Sequence, residues 1–363
     1  MKKMRQSTLF GLALLAAEMA TPALAQLNKP TIIEFDAPGA GTSAYQGTVG
    51  VQINPAGLII GYYFTGSSTV GAYGFVRTPD GNFQSFAAPG EYLTYPQSIN
   101  SKAAVAGYSY QNAVASGFVR DPSGDLTTIE VPGAGTGYAQ GTFAWNINAV
   151  GEIAGTYIDG NSVSHGFLRA PDGTISTFDV PGAGSGANQG TYMASYEGLS
   201  AAGAVVGWYL DANSVNHGYL RAPDGAITVF DAPGAGTGAN QGTFAYGVTP
   251  VIPGVYIDGD NVMHGFVRSL GGDFTTIDVP GATGTNVQNI NLLGVINGDY
   301  YDANGASHGF VRGQFGTIVK FDAPGAGTAS GQGTFVGANN ASGDVPGYYT
   351  DGNNVYHGFL WKP

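Results

Sequence analysis

One aromatic position returns through the whole chain, at Phe75, Phe118, Phe167, Tyr219, Phe266, Phe310 and Phe359. The gaps are 43, 49, 52, 47, 44 and 49 residues, a mean near 47. Each copy has Gly before the aromatic. Most continue into Arg, a Pro-Asp-Gly-like turn and an alternating run that ends in Phe-Asp-x-Pro-Gly. A β-solenoid rung is much shorter, and a helical repeat needs a 3.6-residue period that is absent. Repeat 3 shows the plan. Its pattern predicts strands over 141–148, 152–158, 165–169 and 174–179, parted by Ala149-Val150-Gly151, Asp159-Gly160-Asn161 and Ala170-Pro171-Asp172-Gly173. Pro presets φ in such turns and Gly accepts positive φ. Four antiparallel strands per roughly 47 residues is the period of a propeller blade.

The chain ends sharpen this. Repeat 7 stops after its third strand, at His357-Gly-Phe-Leu-Trp-Lys-Pro363, while Thr31–Asp36 reads as a fourth strand with no partner before it. Joined, the two fragments complete one unit and remove two exposed edges, which a linear array would leave open. The expectation is an all-β, seven-bladed propeller of four antiparallel strands per blade. It occupies residues 26–363, with blade 7 built from 324–363 plus the strand 31–36.

Met1–Arg5 carry three positive charges, Leu9–Ala17 form a short apolar run, and Ala23-Leu24-Ala25 offers a small-x-small cleavage site. Residues 1–25 therefore read as a signal peptide and the protein as secreted or periplasmic. Glu18 ends the apolar run before it could span a bilayer, and no later stretch is long enough, so no membrane insertion is expected. The absence of Cys excludes disulfide and thiolate–metal scaffolds. Beyond residue 25 the chain holds 10 basic against 24 acidic residues. Such a surface repels phosphate backbones and excludes nucleic acid as a partner.

The pattern Ile-Asn-x-x-Gly-x-Ile-x-Gly-x-Tyr, followed by His-Gly-Phe-Leu-Arg, resembles the bacterial extracellular repeat proteins of the HAF family, named from a His-Ala-Phe motif. This chain departs from it by carrying Gly at the middle position, as in Gly166 and Gly309. The resemblance implies secretion and a propeller-like fold. It implies no reaction, because the family has no assigned chemistry.

All five His occupy one repeat position, each six residues after an Asp: Asp159–His165, Asp211–His217, Asp258–His264, Asp302–His308 and Asp351–His357. Repeats 1 and 2 lack both members, with Thr65 and Tyr73 in one and Gln111 and Ser116 in the other. This joint presence points to contact across the hairpin, with the carboxylate accepting from the imidazole. Such a bond is worth ~1.5–3 kcal/mol when partly buried. Catalysis or metal binding uses the same residue types, but a site needs convergence and these pairs are spread over five repeats. Arg77, Arg120, Arg169, Arg221, Arg268 and Arg312 end third strands and are expected to bridge to the adjacent turns rather than to bind anions. Gly-rich runs such as Gly182–Gly186 lack the Lys-Ser/Thr ending of a phosphate loop and read as connectors. Asp258-Gly259-Asp260-Asn261 offers oxygen ligands for calcium without the rest of a known loop. No other cofactor is expected.

Among near-copies, specificity is expected where the copies differ. Repeat 2 replaces its Gly-rich connector with Glu91-Tyr92-Leu93-Thr94-Tyr95-Pro96, repeat 3 places Trp145 on its innermost strand, and repeat 4 inserts three residues within Tyr192–Glu197. Tyr92, Tyr95, Trp145, Tyr192, Tyr196 and Glu197 are thus candidate ligand-binding residues, since aromatic faces beside polar groups suit sugar rings. The same rings would also serve as packing between blades. Glu91 and Glu197 are the candidate catalytic carboxylates, and glycoside chemistry needs two of them ~5–10 Å apart. The expected function is a monomeric, non-catalytic binding module for a glycan or envelope component. A hydrolase or lyase and an assembly scaffold are the alternatives.

Overall fold

The computed structural model describes residues 30–66, 71–90, 93–195 and 197–363. The expected signal peptide lies outside the described residues, as do Glu91, Tyr92 and Tyr196. Among the described residues, no helix is long and apolar enough to cross a membrane. Among the described residues, 28 strands form one near-closed sheet.

In repeat 1, strands Gly47–Ile53, Ile59–Phe64, Ala72–Arg77 and Phe83–Phe86 pair antiparallel in chain order. Repeat 3 does the same with Gly141–Ile147, Ile153–Ile158, Ser164–Arg169 and Ile175–Phe178. The motif residues explain the folding locally. Asn148 Oδ1 accepts from the backbone N–H groups of Val150, Gly151 and Glu152, which reverses the chain between the first two strands. Its Nδ2 donates to the carbonyl of Ser200 in repeat 4, 3.1 Å away. Asn54 reaches Asn100, Asn100 reaches Asn148 and Asn291 reaches Asn340 in the same way. In these four turns one asparagine folds its own repeat and latches it to the next, whereas repeats 4 and 5 carry Ser200 and Thr249 in its place.

The Gly of His-Gly-Phe has an equally local cause. A Cβ on Gly166 would stand 2.5 Å from the Phe178 ring, and one on Gly309 would stand 2.5 Å from Phe321. In these repeats the fourth-strand aromatic lies against the third strand and leaves no room for a Cβ. The next residue fills the core: Phe75, Phe167, Tyr219, Phe266, Phe310 and Phe359 are fully buried. Each contributes roughly 2–3 kcal/mol of apolar transfer. The buried Thr of Gln-Gly-Thr holds the connector, with Thr142 Oγ1 accepting from Val131 N–H and Thr191 Oγ1 from Val180 N–H.

The ends of the chain meet. Thr31–Phe35 pairs antiparallel with Tyr356–Lys362, Ile33 opposite Leu360 and Glu34 opposite Phe359. This strand completes repeat 7, whose own strands are Gly333–Val336, Val345–Thr350 and Tyr356–Lys362. Repeat 7 also abuts repeat 1 directly. Gly47 bridges to Tyr356, Gln52 bridges to Ala338, and Tyr356 N–H donates to Gln46 O at 2.8 Å.

Candidate functional site: the axial cavity

The first strand of each repeat lies innermost, and polar side chains stitch these strands together. Gln52 Oε1 accepts from Ile99 N–H at 2.7 Å. Ser98 Oγ accepts from Ile147 N–H at 3.3 Å, and Asn146 bonds both Gly198 N–H and Ala194 O. On the side of the first-to-second turns these residues wall a cavity of about 470 Å³, together with Glu197 and Asn339. That volume lies in the range of small-molecule sites.

Glu197 is the sole carboxylate among the described residues of this wall. The three-residue insertion puts it there, with φ at +43°, a left-handed conformation that costs a non-Gly residue ~1–3 kcal/mol. Neighbouring repeats hold it: Val248 N–H donates to its carbonyl at 3.0 Å, and Gly198 is bonded to Asn146. Burial pushes its carboxyl up to about 7, against the opposing pull of a hydrogen bond from Asn289. Near neutral pH the group therefore both donates and accepts.

The other candidates gather elsewhere. Tyr95 packs on Tyr62 at 4.9 Å and on Tyr108 at 5.3 Å; Tyr108 in turn meets Trp145 at 5.2 Å, and Trp145 stacks on Phe143. Tyr192 stacks parallel to Trp208 and its hydroxyl donates to Asn188 O at 2.9 Å. Tyr95 and Trp145 thus belong to one run of rings and Tyr192 to a second. None of the three lines the cavity that holds Glu197.

Each His makes a shorter contact than the one expected. His165 Nε2 stands 3.7 Å from Asp159 Oδ2, but its Nδ1 is 2.8 Å from Asp179 Oδ1, on the end of the fourth strand. His217, His264 and His308 repeat this with Asp231, Asp278 and Asp322 at 2.8–3.0 Å, and keep Asp211, Asp258 and Asp302 at 3.4–3.8 Å. His357 reaches Asp36 at 3.0 Å across the closure and Asp351 at 3.9 Å. A Tyr stacks on each imidazole, as Tyr157 does on His165 at 4.8 Å. The sequence held a signal for the second Asp: repeats 1 and 2, which lack the His, carry Ala87 and Glu130 in its place. The segment Asp258–Asn261 forms an Asx turn, in which Asp258 Oδ1 accepts from Asp260 and Val262 N–H. Among the described residues no three His, Asp or Glu side chains gather as metal ligands.

The arginines bridge to the adjacent turns, as their position implies: Arg77 Nη1 donates to Thr78 O at 3.4 Å, Arg120 Nη1 to Asp121 O at 3.3 Å and Arg268 Nη1 to Ser269 O at 3.1 Å. Arg77 lies over Phe35 at 4.7 Å, Arg120 over Phe86 at 5.0 Å and Arg268 over Phe230 at 4.5 Å, each on the fourth-strand ring of the preceding blade-like unit. Lys362 with Asp344 is the one Lys or Arg ion pair among the described residues. A cation–π contact between repeats is thus added to the bridge that each arginine makes to its own turn.

Asp299 was missed altogether. It is 2% exposed and stands where other repeats carry Tyr62, Tyr108 or Trp208. Its Oδ1 accepts from Val336 N–H at 2.7 Å, and its Oδ2 accepts from Asn286 and Gln288 at 3.2 Å each. Burial pushes this carboxyl up to about 7 as well. Aligning the second strands would have revealed it, since Gly-Asp-Tyr-Tyr stands alone among the repeats.

No protein-family model matches the chain, and no curated protein does. Solved structures do. The lectin BP39L from Burkholderia pseudomallei matches with a TM-score of 0.53 at 9% identity, over 84% of this chain and 94% of its own. The fold is propeller-like. The β-propeller domain of the Trilobed protease from Pyrococcus furiosus gives 0.49 at 9% identity, over 88% and 94%. A prolyl endopeptidase gives 0.49 at 12%, over 90% of this chain, which spans half the length of that enzyme.

Proposed function

We propose that this chain is an exported, monomeric, seven-bladed β-propeller that binds a glycan or another envelope component without turning it over. The observation that carries this reading is the contrast between shared and unshared polar residues. The asparagines, threonines and His–Asp contacts common to the repeats are consumed in holding strands and turns together. Glu197, which belongs to one repeat only, faces a cavity with room for a ligand. Carboxamides and a half-ionised carboxyl suit the hydroxyls of a sugar. A glycosidase would need a second carboxylate ~5–10 Å from Glu197, and the described wall of the cavity supplies none. The likeness to a lectin is one of fold and names no ligand.

A glycan array probed with purified residues 26–363, followed by product analysis, tests this. Retention on at least one glycan is expected, with no product, and with binding at least tenfold weaker (about 1.4 kcal/mol) in Glu197→Ala. Product formation would make the protein a hydrolase or lyase. A silent array with oligomers in solution would make it a scaffold.

A further inference from the structure

A second cavity, of about 280 Å³, opens between repeats 3 and 4 and touches the axial cavity only at Ala202. Arg169, Arg221, Glu152, Thr174 and Ser176 form the polar part of its wall. We propose that it binds a sugar bearing a carboxylate, a hexuronate, through the guanidinium groups of Arg169 and Arg221, which both line it.

The comparison with repeats 1 and 2 makes the case. There Arg120 Nη2 donates to Gln84 Oε1 at 2.8 Å, so the protein supplies its own acceptor. Gln84 lies opposite Val76, and Ser176 holds the same place opposite Leu168. The other repeats carry Thr127, Thr228, Thr275, Val319 and Ile33 there. Ser176 is the smallest of the set. Beside Arg221, therefore, no side chain reaches the guanidinium as Gln84 reaches Arg120, and the cavity occupies that place.

Charge points the same way. The turn residue at this place is Asp125 in repeat 2 and Asp273 in repeat 5 but Asn82, Ala226 and Thr317 in repeats 1, 4 and 6, so Thr174 adds a hydroxyl and no acid, and Asp172 of the same turn is the carboxylate that Arg169 attracts from farther away. Arg221 lies over Phe178 at 5.1 Å, and the Nη1 atoms of Arg221 and Arg169 make only long contacts to Ala222 O and Ala170 O. Neither guanidinium has a carboxylate within 4 Å among the described residues. A planar carboxylate matches the guanidinium fork. Glu152 is fixed by Asn148 Nδ2 on Oε2 at 2.7 Å, which leaves Oε1 to accept from ring hydroxyls. Two cations, one anion and two hydroxyls thus fit an acidic sugar better than a neutral sugar or a bare anion. The carbohydrate part of this inference rests on the function proposed above, and the anion contact stands without it.

The test is calorimetric titration of residues 26–363 with D-glucuronate, D-glucose and acetate, in the wild type and in Ser176→Gln. That substitution rebuilds the Gln84–Arg120 contact and fills the cavity. A Kd of about 1 mM is expected for glucuronate, with glucose and acetate at least tenfold weaker. Ser176→Gln should weaken glucuronate at least tenfold without lowering the melting temperature. Arg169→Gln should do the same and serves if the first variant fails to fold. No binding of glucuronate, equal binding of glucose or acetate, or unchanged binding in both variants would overturn the proposal. A glycan held at Glu197 yet insensitive to Ser176→Gln would overturn this site alone. A silent array with Ser176-sensitive glucuronate binding would leave this site standing and remove the axial reading.

Discussion

Replacing Phe35 with alanine is expected to cost about 3–5 kcal/mol and to lower the melting temperature by roughly 5–10 °C in calorimetry. Phe35 sits on the strand that the N-terminus lends to repeat 7. Its ring lies flat on Gly358, where a Cβ would stand 2.3 Å away, and it meets Phe75 and Phe83 at 6.4 and 6.0 Å. Arg77 of repeat 1 covers the ring at 4.7 Å. One side chain therefore joins the borrowed strand, the last repeat and the first. Truncation removes the transfer energy, leaves a cavity and strips a guanidinium of its π face. It also loosens the strand that covers the edge Tyr356–Lys362. A fall of less than about 2 °C would mean that the strand contributes little.

The second large effect concerns pH. Folded Asp299 keeps its proton up to about pH 7, whereas an unfolded aspartate releases it near 3.9. Between these values the folded chain holds the extra proton, so stability falls as pH rises. About 3 units of difference correspond to roughly 4 kcal/mol, present in full below about pH 4 and lost by about pH 7. Glu197 acts in the same sense with a smaller share, because an unfolded glutamate titrates higher than an unfolded aspartate and so nearer the value reached in the fold. The turn aspartates oppose this at the acid end. Backbone N–H groups of Val262 and Ala306 hold Asp258 and Asp302 below the usual carboxylate range, so their contribution is lost as pH falls below about 4. Maximum stability is therefore expected on the acid side of neutrality. Asp299→Asn, with the amides of Asn286 and Gln288 free to turn their oxygens inward, should remove most of the loss between pH 5 and 8 in urea titrations. An unchanged slope would contradict the assignment.

These features differ in how openly the sequence declares them. Strand order and the pairing of the chain ends follow from short-range signals, the two-residue alternation and the turn chemistry around Asn148 and Pro171. Contacts between repeats leave no such trace. Arg77 meets its own turn, as its place in the sequence implies, but its other partner, Phe35, is 42 residues away and leaves no local sign. Asp179 was passed over because the six-residue hairpin offered His165 a nearer carboxylate in sequence than the one it meets in space. Tyr192 and Glu197 were grouped because they are neighbours in sequence. The insertion between them breaks the strand, so the ring goes to Trp208 and the carboxyl to the axis.

Closure of the ring by the N-terminal strand is the claim on which the rest depends, and cross-linking measures it directly. The chain has no cysteine, so within one molecule a pair introduced as Thr31→Cys and Lys362→Cys has only each other to join, and monomer separated on a non-reducing gel reports that link. These positions lie directly opposite in the sheet, within the reach of a disulfide. The offset pair Thr31→Cys and Leu360→Cys is about 7–8 Å apart across the diagonal and beyond that reach. Mass spectrometry after tryptic digestion should find the first pair of terminal peptides joined and the second pair separate. Absence of the first link, or equal linking of both pairs, would show that the two ends do not share a sheet in this register.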